Sequence, residues 1–250
     1  MDPAAAQAPR WLVPDWPAPA NVRALVTLRT GGGSAGPYAS MNLATHVGDD
    51  PAAVAANRAR LRAAASLPSE PLWLHQVHGI AVWSGGSVES PPTADASVAA
   101  EPRRVCTIMT ADCLPVLFCD VDGTRVGAAH AGWRGLVGGV LAATVSSMAV
   151  RPERIIAWLG PAIEQDAFEV GAEVREEFVA RHPSSATAFE RNLRGRWQAD
   201  LYALARIELG ALGIPAVYGG GFKCFSDSDR FYSYRRDKIT GRMATMVWME

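Results

Sequence analysis

Short apolar stretches bounded by turn residues recur along this chain, and several show the two-residue alternation of β-strands. They are rich in valine, leucine and isoleucine, as is usual for strands in a buried sheet. The run LPVLFCD at residues 114–120 is the clearest example. On this pattern we predict strands at residues 21–28, 105–110, 114–120, 124–129, 154–159, 214–218 and 243–249.

Other segments follow the three-to-four-residue repeat of amphipathic helices. The clearest helix start is Asp50 followed by Pro51, because aspartate caps a helix N-terminus and proline suits the first helical position. The repeat continues from there to about Ser66. Further helices are predicted at residues 135–148, 173–181 and 198–212.

The segment 71–83 is predicted to form two strands hinged at Gly79. Alternation along the first of them places Gln76 and His78 on one face and His75 on the other. If this strand is regular, His75 and His78 do not contribute to the same ligand site.

No internal repeat or linker divides the chain. The mixture of hairpins and crossovers predicts one mixed α+β or α/β domain over residues 21–250, rather than a Rossmann pattern. Residues 1–20 are expected to form a loose leader, in which Trp11, Leu12 and Trp16 could pack on the domain.

Composition limits the class of protein further. The chain has 250 residues, of which 49% are hydrophobic and 20% charged, and these are globular values. A formal net charge of −1 gives no electrostatic argument for a nucleic-acid or membrane partner. Because there is no apolar run of ~18 residues and no signal-peptide pattern, we expect a cytoplasmic protein. Its four cysteines are then expected to be thiols.

Three short motifs carry the candidate chemistry, namely LHQVHG, TADCLP and AAHAGWRGL. They place His78, Cys113 and His130 at the edges of predicted strands, 35 and 17 residues apart. One thiolate and two imidazoles can form a three-ligand zinc site with an open fourth position, which is typical of catalytic zinc. Since the ligands are remote in sequence, only the fold could assemble such a site.

The same residues allow two other chemistries. Cys113 and His130 could form a nucleophilic thiolate–imidazole pair, with Asp112 or another acid orienting the base. Copper could also occupy a site of histidine and cysteine. A multicopper laccase, however, needs more than the five histidines present, and its His-x-His pairs are absent from the sequence. The zinc base-deaminase signature, His-x-Glu with Pro-Cys-x-x-Cys, is absent as well.

Three further residues are candidates for substrate contacts. Gln76 is predicted on the same strand face as His78. Asn42 lies in the loop SMNLATHVGDD before the first helix, where it could equally satisfy backbone groups of the loop. Arg134 follows the His130 motif and could hold phosphate in fork geometry, or could be a surface arginine at a helix start.

Six motifs in order, SMNLATHVGDDP, HQVHG, TADCLPVLF, AAHAGWRGL, GPAI and CFSDSDRFYSYRRD, resemble those of the YfiH/YlmD family. This family has also been called the polyphenol-oxidase or multicopper-oxidase-like laccase family, and it includes the peptidoglycan editing factor. The resemblance implies the fold of the cytotoxic necrotizing factor catalytic domain, with packed mixed sheets flanked by helices. It also implies that zinc is held by His78, Cys113 and His130, which would then be the catalytic centre.

The activity implied by the resemblance is zinc-dependent phosphorolysis of adenosine, inosine, guanosine and S-methyl-5'-thioadenosine, with adenosine deamination. The partners would then be a small nucleoside and phosphate, and the enzyme would be a monomer or homodimer. Three alternatives remain open: a hydrolase of a mis-made cell-wall precursor nucleotide, a copper-dependent polyphenol oxidase, and a binding protein stabilised by zinc.

Overall fold

The computed structural model describes residues 8–86 and 90–250. Besides short 3-10 turns, the described residues form thirteen strands and six helices. In chain order these are β1 (Trp11–Leu12), β2 (Val22–Thr27), α1 (Pro51–Ala64), β3 (Val82–Trp83), β4 (Ala96–Ala99), β5 (Cys106–Thr110), β6 (Leu114–Asp120), β7 (Val126–Ala131), α2 (Trp133–Gly138), α3 (Val140–Met148), β8 (Ile155–Leu159), β9 (Glu169–Val170), α4 (Ala172–Arg181), β10 (Phe189–Arg191), β11 (Trp197–Ala199), α5 (Leu201–Ala211), β12 (Ala216–Gly219), α6 (Tyr234–Asp237) and β13 (Met243–Met249).

In the part of the chain that the structure describes, these strands form three sheets. The largest has the order β12-β8-β6-β7-β4-β3, the second β1-β2-β13-β5, and the smallest β10-β11-β9. In the largest sheet β12 is parallel to β8 and β3 is parallel to β4, whereas β6 is antiparallel to both β7 and β8. This mixture of pairings, with helices between the strands, confirms the mixed α/β class expected from the sequence.

Alternate residues of β6 enter two different cores, and this alternation defines the layers. Val116 and Phe118 pack with residues of α3 and α5. Leu117 and Cys119 point the opposite way and pack with Ile108 of β5. The two larger sheets therefore lie face to face, with helices on the outer face of the six-stranded sheet. Helix α1 covers the outer face of the four-stranded sheet.

All seven predicted strands are present, with small shifts at their ends. The strand predicted at residues 124–129 begins and ends two residues later, as Val126–Ala131. The pattern does not predict β4, because its four residues, ASVA, are few and half of them are alanine. Pairing of β4 with β7 on one side and β3 on the other provides its strand geometry.

The prediction of two strands at residues 71–83 is wrong. Only isolated bridges at Leu72 and His75 and the two-residue strand β3 are formed there. His78 has a φ of +61°, so the chain turns at the residue before the expected hinge. Its position therefore does not follow from strand alternation.

Two predicted helices have different bounds from those expected. The segment 135–148 is divided into α2 and α3 at Gly139, which has a φ of +101° and ends the first helix. The helix expected from residue 198 begins at Leu201, because the Asp200 side chain caps it and residues 197–199 pair as β11.

Part of the expected leader, residues 1–20, is paired with the domain. Trp11 and Leu12 form β1 antiparallel to β2, and Leu12 and Trp16 are partly buried against the inter-sheet core. Residues 1–7 lie outside the described residues. Within the described ranges, no helix is long and apolar enough to cross a membrane.

Candidate metal centre

The structure brings His78, Cys113 and His130 together at one end of the six-stranded sheet. One potential ligand atom from each lies within 4.8 Å of the others. Cys113 Sγ is 3.9 Å from His78 Nε2, and the two imidazole rings are edge to face with centroids 4.7 Å apart. His78 is exposed, Cys113 is partly buried and His130 is buried, so the site opens on the His78 side.

Strand register brings two of these side chains into proximity. Pro115 of β6 lies opposite His130 of β7, so Cys113, two residues before Pro115, lies beside the end of β7. Gly132 then keeps this space open. A Cβ atom there would lie 3.0 Å from both Cys113 Sγ and His78 Cδ2. The three side chains can converge because residue 132 has no side chain.

Asp112 is held away from the histidines. It has a φ of +99°, and its Oδ2 accepts a 2.6 Å hydrogen bond from the Arg235 backbone N–H. Its carbonyl accepts another, of 2.9 Å, from the Ile163 N–H. Burial raises the pKa of the Asp112 carboxyl, although contacts with residues 233–236 partly oppose this rise. Asp112 therefore fixes the turn that presents Cys113.

The acid that contacts His130 is Asp95, a residue that sequence reasoning missed. Its fully buried Oδ1 lies 2.8 Å from His130 Nδ1. The same carboxylate accepts backbone hydrogen bonds from Val77, His78 and Gly79. Burial tends to raise the pKa of Asp95, but His130 and these N–H groups hold it below its ordinary value. The available signal was an acid between Ala94 and Ala96, within a run of small apolar residues.

The electrostatics favour a thiolate at Cys113. Burial alone would raise the pKa of its thiol, but His130 and His78 lower it to about 6. Burial also tends to lower the pKa of His130, yet Cys113 and Asp95 raise it to about 9. The two shifts have a common cause, because negative charge on the Cys113 sulfur and positive charge on the His130 ring stabilise each other. The thiolate is the form that ligates metals and also the form that acts as a nucleophile.

The donor set fits a metal ion. One thiolate sulfur and two imidazole nitrogens suit zinc or copper, and three protein ligands leave a coordination position open. In the described ranges, the group of converging ligand atoms comprises His78, Cys113 and His130 and does not include His75.

The predicted substrate contacts lie in different surroundings. The Asn42 side chain is buried and bonds to Ala44, Asp49 and the backbone N–H of Arg242. The Gln76 side-chain amide donates a hydrogen bond to the Met109 carbonyl in β5 and accepts one from the Met109 N–H. These contacts indicate scaffold roles for both amides, and direct substrate contact stays a prediction.

Two arginines supply positive charge at this end of the molecule. Arg134 is exposed at the second residue of α2, and its guanidinium lies 4.4 Å from the centroid of the Trp133 ring. Arg242, which sequence reasoning missed, is partly buried, and burial lowers its pKa. The negative charges of Cys113 and Asp112 oppose this effect, so Arg242 lies within electrostatic range of the thiolate.

Taken together, the packed sheets and the open His–Cys–His set define a mixed α/β protein with a candidate metal centre. Residues 23–250 match the family model described as multi-copper polyphenol oxidoreductase laccase. The chain belongs to this family, which confirms the resemblance inferred from its motifs.

Similar proteins cover almost the whole chain. Purine nucleoside phosphorylase PA4543 of Pseudomonas aeruginosa is 58% identical over 245 residues, 96% of this chain and 98% of that protein. Purine nucleoside phosphorylase YfiH of Escherichia coli is 51% identical, covering 95% of this chain and 98% of its own length. The names of these relatives support an enzyme.

Solved structures confirm the fold. The Neisseria meningitidis protein NMB0706 superposes with a TM-score of 0.92 at 51% identity, over 96% of this chain and 99% of that one. YlmD from Geobacillus stearothermophilus has a TM-score of 0.89 at 29% identity, over 100% of this chain and 98% of its own.

Proposed function

We propose that this protein is a zinc-dependent purine nucleoside phosphorylase that acts on adenosine, inosine, guanosine and S-methyl-5'-thioadenosine, and that also deaminates adenosine. The observation that carries the proposal is the 58% identity, across nearly the full chain, to a protein named purine nucleoside phosphorylase. The His–Cys–His cluster is where we place the reaction, because it combines metal-ligating donors with an opening to solvent.

Phosphorolysis joins a phosphate oxygen to the ribose anomeric carbon as the bond from that carbon to the purine nitrogen breaks. The departing base takes up a proton, and the products are a free purine and ribose 1-phosphate. Positioning and charge stabilisation dominate such a reaction. When bound, zinc supplies a Lewis acid that stabilises negative charge on oxygen.

The chain's own residues divide these tasks. His78, Cys113 and His130 would hold the metal, on the side where the site opens to solvent. Arg134 is our leading candidate for a phosphate contact, because a guanidinium can hold two phosphate oxygens at once. Arg242 adds positive charge beside the thiolate. In deamination, water supplies the oxygen that replaces the purine amino group, and ammonia leaves.

A substrate panel tests this proposal. Purified zinc-loaded protein is incubated with each of the four nucleosides, with and without phosphate, and the products are separated by chromatography. We expect free base and ribose 1-phosphate only with phosphate, and some inosine from adenosine without it. Turnover of a cell-wall precursor nucleotide, with no base release from any nucleoside, would replace the proposal with the precursor hydrolase.

The family description favours one second candidate, a copper-dependent polyphenol oxidase. The donor set of the site suits copper as well as zinc. Metal analysis of the purified protein, followed by oxygen-uptake assays with phenols after copper loading, separates the two. Zinc content with no oxygen uptake supports the phosphorylase.

We further propose a cytoplasmic enzyme that works as a monomer or homodimer on small molecules. The four cysteines are all free, as expected in a reducing compartment.

A further inference from the structure

We propose that Asp95 is a positioning residue that sets both histidine ligands at once. Its buried carboxylate accepts one hydrogen bond from the His130 ring and a set of others from the backbone N–H groups of the turn at residues 77–79. This inference rests on the metal-binding part of the proposed function, and it assigns a role to a residue that is not one of the candidate ligands.

The contact with Asp95 fixes the ring of His130. Its Nδ1 lies 2.8 Å from Asp95 Oδ1, and its backbone N–H donates a 2.7 Å hydrogen bond to the Asp95 carbonyl. A carboxylate oxygen only accepts hydrogen bonds, so His130 carries its proton at Nδ1. In the neutral ring, which is the form that ligates a metal, the lone pair then lies on Nε2, the ring nitrogen on the Cys113 side, beside Gly132. Asp95 thereby selects the tautomer that can ligate a metal through Nε2.

The hydrogen bonds from the turn to Asp95 fix the backbone at His78. The N–H groups of Val77, His78 and Gly79 point at the Asp95 carboxylate, at 3.2, 2.9 and 2.7 Å. His78 has a φ of +61°, which is unfavourable for a residue with a side chain. Three hydrogen bonds to one carboxylate offset this cost. The resulting turn carries the His78 imidazole to within 3.9 Å of Cys113 Sγ.

Four donors therefore converge on two oxygens. Oδ1 accepts from His130 Nδ1 and the His78 N–H, while Oδ2 accepts from the Val77 and Gly79 N–H groups. The Asp95 side chain is fully buried, so solvent does not replace a lost acceptor. An aspartate satisfies all four donors because both of its oxygens are acceptors.

An asparagine at this position satisfies only half of them. In one orientation its NH2 group faces His130 and the His78 N–H, which drives the His130 proton to Nε2 and removes that ligand. In the other orientation the NH2 group faces the Val77 and Gly79 N–H groups, which opens the turn and displaces His78. Each orientation of the amide therefore costs at least one metal ligand.

The experiment compares Asp95→Asn with wild type in zinc affinity, measured by competition with a chromophoric chelator. We expect zinc binding to weaken about 10- to 100-fold. Asp120→Asn is the matched control. Asp120 is also buried and accepts N–H groups of a turn, from Thr124 and Arg125, but lies about 20 Å along β6 from Cys113. This control should bind zinc as wild type does.

A spectroscopic measurement on the wild type keeps the proposal testable even if Asp95→Asn does not fold. Long-range proton–nitrogen correlation spectra of the zinc-loaded protein should show His130 protonated at Nδ1 and bound through Nε2. Protonation at Nε2, or unchanged zinc affinity in folded Asp95→Asn, would overturn the proposal. Wild-type protein that binds no zinc would overturn both it and the metal assignment. Intact zinc binding without nucleoside turnover would overturn the phosphorylase proposal alone.

Discussion

Cys113 differs from the other cysteines in its surroundings. Cys106 and Cys119 are fully buried between the two larger sheets, where burial raises their thiol pKa values to about 11 and about 12. Cys113 has imidazole neighbours, and its thiol pKa is lowered to about 6. At neutral pH only the last of these thiols is largely ionised, so metal binding or nucleophilic attack is expected at Cys113.

Replacing Cys113 with alanine should abolish nucleoside turnover and sharply reduce zinc content, because the remaining histidines leave only two ligands. Zinc is measured by mass spectrometry on the purified variant, and turnover by base release. Cys119→Ala is the control. It should retain metal and activity while losing up to a few kcal/mol of stability through its cavity. Lost activity with full zinc content would favour the nucleophilic-cysteine mechanism.

Arg134 provides a test for phosphate. Arg134→Lys keeps the charge but removes the two-pronged contact, so we expect a loss of ~1.5 kcal/mol, about tenfold in the KM for phosphate. Deamination of adenosine should change less. Arg151→Lys is the control, since Arg151 is exposed and precedes β8 at the sheet end far from Cys113. Equal losses in both reactions would assign Arg134 to the architecture of the site.

At the scale of elements, the start of α2 is shaped by its closeness to the ligands. Gly132 caps this helix, and a methyl group there would lie 3.0 Å from Cys113 Sγ and from His78 Cδ2. Its φ of −62° is ordinary, so the restriction is steric rather than conformational. The helix can begin directly after β7 only with glycine at this position.

Gly132→Ala should therefore weaken zinc binding by about tenfold or more, since a ligand displaced by a few tenths of an ångström spoils the geometry. Chelator competition measures the affinity, and circular dichroism should show a folded protein. Gly210→Ala in α5 has open space around its new methyl group. It should leave zinc binding unchanged and stabilise the helix by roughly 0.5–1 kcal/mol. Wild-type affinity in Gly132→Ala would contradict the crowding argument.

An ion pair between the buried Glu208 and the partly exposed Arg181 connects α5 to α4. Glu208 accepts hydrogen bonds from Arg181 at 2.7 and 3.1 Å and lies 2.7 Å from His182 Nε2. Burial tends to raise the pKa of Glu208, but Arg181 and His182 hold it below its ordinary value of 4.5. A carboxyl with a lowered pKa stabilises the fold above the pKa of the unfolded chain. This contribution disappears as the pH falls through the folded-state pKa.

Glu208→Gln should lower the free energy of unfolding at pH 7 by about 1–3 kcal/mol, less than for a fully buried pair because Arg181 is partly exposed. The difference from wild type should shrink as the pH falls below about 4.5. Urea titrations at pH 7 and pH 4 measure both values. A difference that is the same at both pH values would show that packing, rather than charge, provides the stabilisation.

The strands could be predicted where the local pattern is strong. The run of β6 is long and apolar, whereas β4 is four residues of mostly small side chains that are strands because their neighbours pair with them. The segment before His78 also fails as a regular strand, since the Asp95 carboxylate draws three N–H groups into a turn. Local sequence does not encode a contact with a residue so far along the chain.

At the scale of the whole molecule, the site is assembled from segments that no local pattern connects. Residue types alone suggest His78, Cys113 and His130 as a ligand set. Their convergence depends on the register of β6 against β7 and on the turn held by Asp95. The spacing of residues along the chain predicts neither this register nor this turn. The positions of Asp95 and Arg242 near the ligands are therefore known only from the structure. The family's motifs indicate the ligands because each of three motifs contains one of the residues that the fold brings together.

The position of the ligands relative to the apolar cores predicts the effect of removing the metal. The two larger sheets and their helices enclose extensive apolar cores, and the three ligands lie at one end of the larger sheet, outside those cores. We therefore expect folding not to depend on the metal, in contrast to small zinc domains that unfold without it. Asp95 also holds both histidines through hydrogen bonds within the protein.

Zinc-stripped protein should accordingly stay folded, lose nucleoside turnover and recover it on addition of zinc. Zinc at one hundred times its Kd adds about 2.7 kcal/mol to the stability, so the Tm of the stripped protein should fall by roughly 5–10 °C. Scanning calorimetry and activity before and after dialysis against chelator measure both effects. Full recovery of turnover and of the original Tm on addition of zinc controls for damage by the chelator. Unfolding on removal of zinc would instead identify a structural metal and favour the zinc-stabilised binding protein, because an open catalytic site leaves the sheets intact when it is empty.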